Sequence, residues 1–470
     1  MNNKGMKVFV KSSILSLFVL GLANLGYSQN NLTMYNMHTL PQRIHTNPAQ
    51  ISDSRFFIGM PGFSSLHVLY GNNGFKMKDL VSVNDSNQLE VHPMKFYDAL
   101  EKDNTISLDV NYDLFYLGFK LRKSFFTVGI GEKVNTQFSF PKDFFGLLLI
   151  GNAGSNLGKE LNFNFKYDLM AYNDINVSWS RAFRKDKWRL GAKVSYLNGI
   201  VNMNTERSDL FFKTNAEDFH FTMRSDLKFN TSSIVDTINE DFSADGLDFN
   251  SFKSRNHGMG LSFGATYQIL PKIVLSASIL DLGRITWKDN VQNYETKNPL
   301  QAVEFYGLDI NDYFNDSADF NSSIQSMLDT IKDKFELVET HNSYSTNLPT
   351  KFYIGGNIWV TKRHNFGVLF FGNYYQKKLN PAFTLSYNGK LTRVLGLSVS
   401  YSMINRSFVN GGVGLTLNGS AFQYYVVADN VLGMIKFRNA STIDIRTGIN
   451  FTFRRKDKQA GLSGNSKKLG

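Results

Sequence analysis

The stretch Ile443, Ile445, Thr447, Ile449, Phe451 and Phe453 alternates one for one with Asp444, Arg446, Gly448, Asn450 and Thr452. A period of two puts each set on one face of an extended strand. Three further runs share the pattern. Ile106, Leu108, Val110, Tyr112 and Leu114 interleave with Ser107, Asp109, Asn111 and Asp113. Leu161, Phe163, Phe165, Tyr167 and Leu169 interleave with Asn162, Asn164, Lys166 and Asp168, and Trp188, Leu190, Ala192, Val194 and Tyr196 with Arg189, Gly191, Lys193 and Ser195. Runs of about nine to eleven residues suit a tilted strand crossing a bilayer, whereas globular strands average about five or six. A soluble sheet buries its apolar face, while a membrane barrel turns it to lipid. Lipid offers no partner to backbone groups, so spanning strands have to close into a ring.

The N-terminus favours the barrel. Lys4, Lys7 and Lys11 precede the apolar stretch Ile14 to Leu25, and Gly26-Tyr27-Ser28 follows. A basic start, a short apolar run and small residues at the cut read as an export leader over residues 1–28, cleaved after Ser28. Tyr167, Trp179, Trp188, Tyr196, Trp287 and Trp359 fall near strand ends, where interfacial aromatic girdles belong. The expected fold is all-β: a single antiparallel transmembrane barrel over residues 56–453, with about 14 strands and a range of 12 to 16. An N-terminal segment, 29–55, precedes it and a basic tail, 454–470, follows. Sixteen stretches read as strands, 206–229 and 291–306 among them, and mergers or placement outside the membrane lower the count. Two long polar insertions, 230–256 and 308–345, interrupt the meander. In the second, Ile324, Met327, Leu328, Ile331 and Phe335 predict a short amphipathic helix.

Composition narrows the function. The chain of 470 residues carries 51 Lys and Arg against 40 Asp and Glu. Most of that excess sits in the leader and the tail, so the body is near neutral and no nucleic-acid partner is expected. The absence of Cys excludes disulfides and thiolate metal sites. No His-Glu-x-x-His, phosphate loop or Gly-x-Ser-x-Gly elbow occurs, and His38, His45, His67 and His92 lack the spacing of a helical metal pair. A non-enzymatic protein without cofactor or metal is expected. Gly129, Gly131, Gly411, Gly412 and Gly414 read as close-packing positions on strands. Asp109, Lys166, Asp168, Arg189, Lys193, Asp444 and Arg446 are expected to face the lumen, because Arg or Lys on the lipid face costs about 2–4 kcal/mol at mid-depth. There they can pair across the lumen or line a wet path. Asn47-Pro48-Ala49 reads as a turn ahead of the first strand, with Pro fixing φ and Asn favouring turn conformations. The outward pair Phe451 and Phe453 ends the last strand and is expected to address the chain to the barrel-assembly machinery.

Several segments carry a family resemblance: His45-Thr46-Asn47-Pro48-Ala49, Gly59-Met60-Pro61-Gly62-Phe63-Ser64-Ser65, Leu280-Asp281-Leu282-Gly283 through Trp287, Leu348-Pro349-Thr350-Lys351-Phe352 through Gly356, and Ala428-Asp429-Asn430-Val431-Leu432-Gly433 before an Arg446-bearing last strand. In this order they resemble a Bacteroidota outer-membrane β-barrel family of unknown function. That family is similar in build to FadL-like fatty-acid transporters and to the PorV and PorP/SprF barrels of type IX secretion and gliding. The resemblance implies an outer-membrane location in a Gram-negative bacterium. It also implies that residues 29–55, with Asn47, Pro48 and Ala49, enter the lumen as a plug, and that the chain is a channel for small hydrophobic solutes. The alternative is a scaffold that docks an exported or periplasmic protein, and a hydrolase comes third. Bacteroidota exported proteins carry O-glycans at Asp-Ser/Thr before a small or aliphatic residue. Thr237, Ser317 and Thr330, all in the long insertions, fit that pattern.

Overall fold

The computed structural model describes residues 31–453 except 53, 84–87, 153, 218–219, 234–253, 306–335, 377, 405–406 and 436–439. The expected leader, the 324–335 helix, the basic tail and Thr237, Ser317 and Thr330 lie outside the described residues.

Among the described residues, twenty-three strands follow in chain order. The first half contains β1 (Phe56–Gly59), β2 (Ser65–Asn72), β3 (Val81–Val83), β4 (Leu89–Val91), β5 (Asp103–Leu121), β6 (Ser124–Pro141), β7 (Glu160–Asn162), β8 (Lys166–Phe183), β9 (Trp188–Thr214), β10 (Phe221–Ser232), β11 (His257–Leu270) and β12 (Ile273–Trp287). The second half contains β13 (Val291–Thr296), β14 (Ala302–Phe305), β15 (Leu337–Thr340), β16 (Tyr344–Asn347), β17 (Thr350–Trp359), β18 (His364–Tyr375), β19 (Lys378–Lys390), β20 (Leu395–Ile404), β21 (Ser407–Asn418), β22 (Phe422–Ala428) and β23 (Thr442–Phe453).

Fourteen of these close a ring in the order β2, β5, β6, β8, β9, β11, β12, β17, β18, β19, β20, β21, β22, β23 and back to β2, every pair antiparallel. β1 continues the line of β2 between the same two neighbours. Every backbone edge within the ring is paired, which is the condition for crossing lipid with strands. The predicted faces hold along β23: Asp444, Arg446, Asn450 and Thr452 are buried inward, while Phe451 and Phe453 are exposed. Val177, Leu190, Val194, Ile354, Ile358, Val368, Leu385 and Leu415 extend the exposed apolar belt around the outside. An exposed apolar belt around the outside is what lipid requires of a barrel that spans a membrane.

All turns at one end are short, such as Arg122-Lys123 and residues 184–187. At the opposite end the chain builds outward over β8 to β12. The far half of β9 leaves β11 and pairs with β10, which pairs with β13 and β14. The expected strands 206–229 and 291–306 therefore lie off the ring, in this extension. It is held by phenylalanines: Phe163 stacks on Phe212, and Phe144 meets Phe163 and Phe165 edge-on. The helix Lys142–Ile150 sits on this cluster and ends at Gly151, whose φ of +90° few other residues adopt.

Two predicted girdle residues point inward. Trp287 has no exposed surface and donates its indole N–H to Thr346 Oγ1 at 2.8 Å. The cause is a β-bulge where the β11–β12 register shifts, with Asp281 in the left-handed region at φ +57°. One extra residue moves the inward phase from even to odd positions, so Ile285 and Trp287 turn in. Trp359 lies on the odd, inward face of β17 and packs against His38, ring centroids 4.7 Å apart.

Candidate functional site: the barrel lumen

Residues 31–52 occupy the inside of the ring. The segment has no strand, only two turns of 3-10 helix at Met34–Asn36 and Pro41–His45, and nearly all of it is buried. A chain without regular structure inside a barrel must find partners for its backbone in the wall. At its start, the Asp429 carboxylate accepts the Leu32 and Thr33 N–H groups at 2.8 Å each, and Arg446 donates to Asn31 Oδ1 at 2.8 Å and to Ser65 Oγ at 2.6 Å. Further along, Tyr35 donates to Ser276, Asn36 bridges Ser386 and Asn357, and Gln423 donates to the Thr39 carbonyl. Gln42 and Asn450 exchange two amide hydrogen bonds, at 2.6 and 3.0 Å. His45 meets Asp113 at 2.9 Å.

The predicted turn Asn47-Pro48-Ala49 is one of these anchors. Asn47 Nδ2 donates to the Ala277 carbonyl at 3.1 Å and the Ala265 carbonyl at 3.4 Å, while its Oδ1 accepts the Ala49 N–H at 2.9 Å. Ser278 donates to the Thr46 carbonyl at 2.7 Å. The wall is relieved to fit: a Cβ at Gly191 or Gly264 would strike Pro48 or Asn47, and one at Gly412 or Gly414 would strike Thr33 or Met37. The close packing expected of Gly412 and Gly414 is thus packing against this segment. Gly129 is crowded by Tyr116 and Asn176 of the wall itself.

Among the predicted lumen charges, Asp168, Lys193, Asp444 and Arg446 are buried inside the ring, and Asp109 is half-buried on its inner face. Lys193 pairs with Asp281 at 3.1 Å, and Asp444 meets His67 at 3.2 Å. Arg189 is half-buried beside the short turn 184–187. Lys166 departs from the expectation: as the first residue of β8 it stands exposed at the rim, beyond the enclosed part of the lumen. Lys133–Asp174, at 2.7 Å, Lys351 and Asp429 also belong to the interior and were not singled out from sequence. Asp281, Lys351 and Asp429 sit within the segments that carry the family resemblance, and that was the available signal. Lys133 lies on a strand without clean alternation and gave none.

Two recesses flank the segment. Toward the short turns, a recess opens between Met37, His38, Trp359 and Leu397. Burial, and then the Arg43 guanidinium beside it, hold the His38 imidazole well below its ordinary pKa. A neutral Nδ1 can then accept from Arg43 Nη1, 2.5 Å away. Toward the long loops a second recess is lined by polar groups, among them Asp109, Asn135, Asp168, Lys351, Asn373 and Asn380. Tyr375 and Gln376 both donate to one oxygen of Asp168.

No curated protein matches the chain in sequence. Among solved structures, it is similar to the toluene transporter TodX of P. putida, at 9% identity and a TM-score of 0.43, covering 92% of this chain and 99% of that one. It is also similar to the Ralstonia pickettii toluene transporter TbuX, at 8% identity and a TM-score of 0.41, covering 89% and 94%. A Pseudomonas aeruginosa FadL homologue gives 8% identity and a TM-score of 0.41 over 92% of this chain and 100% of that one. In sequence, residues 48–429 match a family of unknown function, DUF5723, and the chain belongs to it.

Proposed function

We propose that this protein is a non-enzymatic outer-membrane channel for small solutes, stoppered by its own N-terminal segment. The observation that carries the reading is the seating of residues 31–52. They are held from β5, β11, β12, β17, β19, β20, β22 and β23, and they separate two recesses that open toward opposite ends. The segment is a plug in this reading, and passage requires it to move. The short turns then face the periplasm and the long connections the exterior, as in barrels of this class. A hydrophobic solute, as the family resemblance implies, would need an apolar way in. The apolar groups inside, Tyr35, Leu280, Tyr353, Leu369, Phe371 and Ile404, are packed together, and the outer recess is polar, which favours a polar solute. A docking role is the second reading. It rests on Leu148, Leu149 and Ile150, exposed at the end of the outermost helix.

Single-channel recording in planar bilayers tests the channel reading. Deleting residues 31–51 should raise conductance in a barrel that still shows heat-modifiable migration. An unchanged conductance in a folded deletion variant would place the segment outside the conduction path and overturn the proposal.

A further inference from the structure

The lumen holds several buried or half-buried ions, and most are spent on one another. Lys133 is neutralised by Asp174, Lys193 by Asp281, and Asp113 accepts from His45. In the outer recess the accounting differs. Lys351 of β17 makes no hydrogen bond or ion pair among the described residues, although it lines the recess. Asp109 of β5 lines the same recess and accepts a single hydrogen bond, from Asn135 at 3.0 Å, again with no ion pair among the described residues.

These two groups stand on opposite walls. β5 and β17 are six strands apart one way round the ring and eight the other. Asp281 is the stronger counter-charge acting on Lys351 and Asp109 the next anionic one, yet the Lys351 ammonium forms an ion pair with neither carboxylate among the described residues. Asn373 and Asn380 line the recess too, and each leaves a buried amide oxygen without a donor.

We infer that the outer recess binds a small zwitterion, its carboxylate at Lys351 and its ammonium at Asp109. The assignment rests on the channel reading and names its solute class. A neutral sugar would leave both of these ions unanswered in a partly desolvated space, and a singly charged ligand would leave one; the further carboxylate there, Asp168, already accepts from Tyr375 and Gln376. Leaving a buried ion unpaired is costly, whereas charge-assisted hydrogen bonds at both ends of one ligand answer both. The spare amide oxygens of Asn373 and Asn380 suit further N–H donors on the same molecule.

Equilibrium dialysis on the full-length protein in detergent micelles tests this with glycine, 4-aminobutanoate and 6-aminohexanoate, a series that scans the separation of the two charges. One member should bind, and its N-acetyl and methyl-ester derivatives, each lacking one charge, should bind at least about tenfold more weakly. Asp109→Asn and Lys351→Met should each weaken binding by about tenfold or more, and the exchange Asp109→Lys with Lys351→Asp should restore it. Where a variant fails to fold, the comparison of derivatives on the unaltered protein decides. No binding by any member, or a derivative that binds as well as its parent, would overturn the assignment. A conductance rise on plug deletion without zwitterion binding would reject the solute class and leave the channel standing.

Discussion

Replacing Asp429 with Ala tests how the N-terminal segment is held. Both carboxylate oxygens accept main-chain N–H groups, from Leu32 and Thr33, each at 2.8 Å, and neither residue has exposed surface. Removing the acceptor strands two buried amides, at about 1–3 kcal/mol apiece. The docked first turn should lose about 2–6 kcal/mol, and the lower figure alone corresponds to roughly a 30-fold rise in its detached population. Anchors farther along, from Tyr35 to Asn47, do not depend on Asp429, so detachment should be confined to the first turn. The chain has no native cysteine, so Thr33→Cys supplies a unique reporter thiol. Its reaction with a bulky, charged maleimide should be at least about tenfold faster in the Asp429→Ala background than with Asp429 intact. Asp429→Asn, which keeps an acceptor oxygen, should fall between. Equal rates in the two backgrounds, with the barrel still folded, would refute the claim that this carboxylate holds the segment.

Three other outcomes are expected. Changing Phe451 and Phe453 to Asp puts charge on the exposed face of β23, and exported chain should then accumulate unassembled; normal membrane levels of the double variant would remove that role. The lowered pKa of His38 means that the unfolded chain binds its proton more readily than the folded one, so this group's contribution to stability falls as pH drops below about 6.5. The heat-modification midpoint of the detergent-solubilised barrel should therefore fall between about pH 6.5 and 5, with His38→Gln flattening the profile; an identical profile in that variant would assign the effect elsewhere. If Thr237, Ser317 and Thr330 are glycosylated, the protein from its native host will exceed the mass of the bare polypeptide counted from its sequenced N-terminus, and an equal mass rules the modification out.

What was legible in the sequence was the side of each strand, because in long hairpins the facing rule is local. β23 and the near half of β9 show it, with Lys193 and Ser195 inside and Leu190, Val194 and Tyr196 outside. The ring size followed once 206–229 and 291–306 were allowed to lie off it. Local alternation fails where a bulge intervenes: nothing before Asp281 announces the extra residue that turns Trp287 inward. It also says nothing about partners. Asp429 lies 397 positions from Leu32, and the Gln42–Asn450 pair spans 408, so no window along the chain contains either contact. Lys351 was visible as part of a motif, but its lack of a counter-ion exists only once β5 and β17 face each other.

The segment that fills the lumen leads directly into β1 and β2, the strands that meet β23 where the first and last parts of the chain join. The glycines of β9, β11 and β21 leave room for it and little else. Assembly therefore has an order. Seating about twenty irregular residues after the ring had shut would mean threading them past walls shaped to their contour. Settling while β2 and β23 are still apart avoids that threading, whereas the movement that passage requires can be local. Closing the barrel is then a late, non-local event that waits on the N-terminus, and topologies dominated by such distant contacts form slowly. Until the join is made, β2 and β23 present unpaired edges, the kind of surface that recruits other strands. Lesions in the seating contacts should thus be felt first as slow assembly and aggregation, before any loss of stability in barrels that do close.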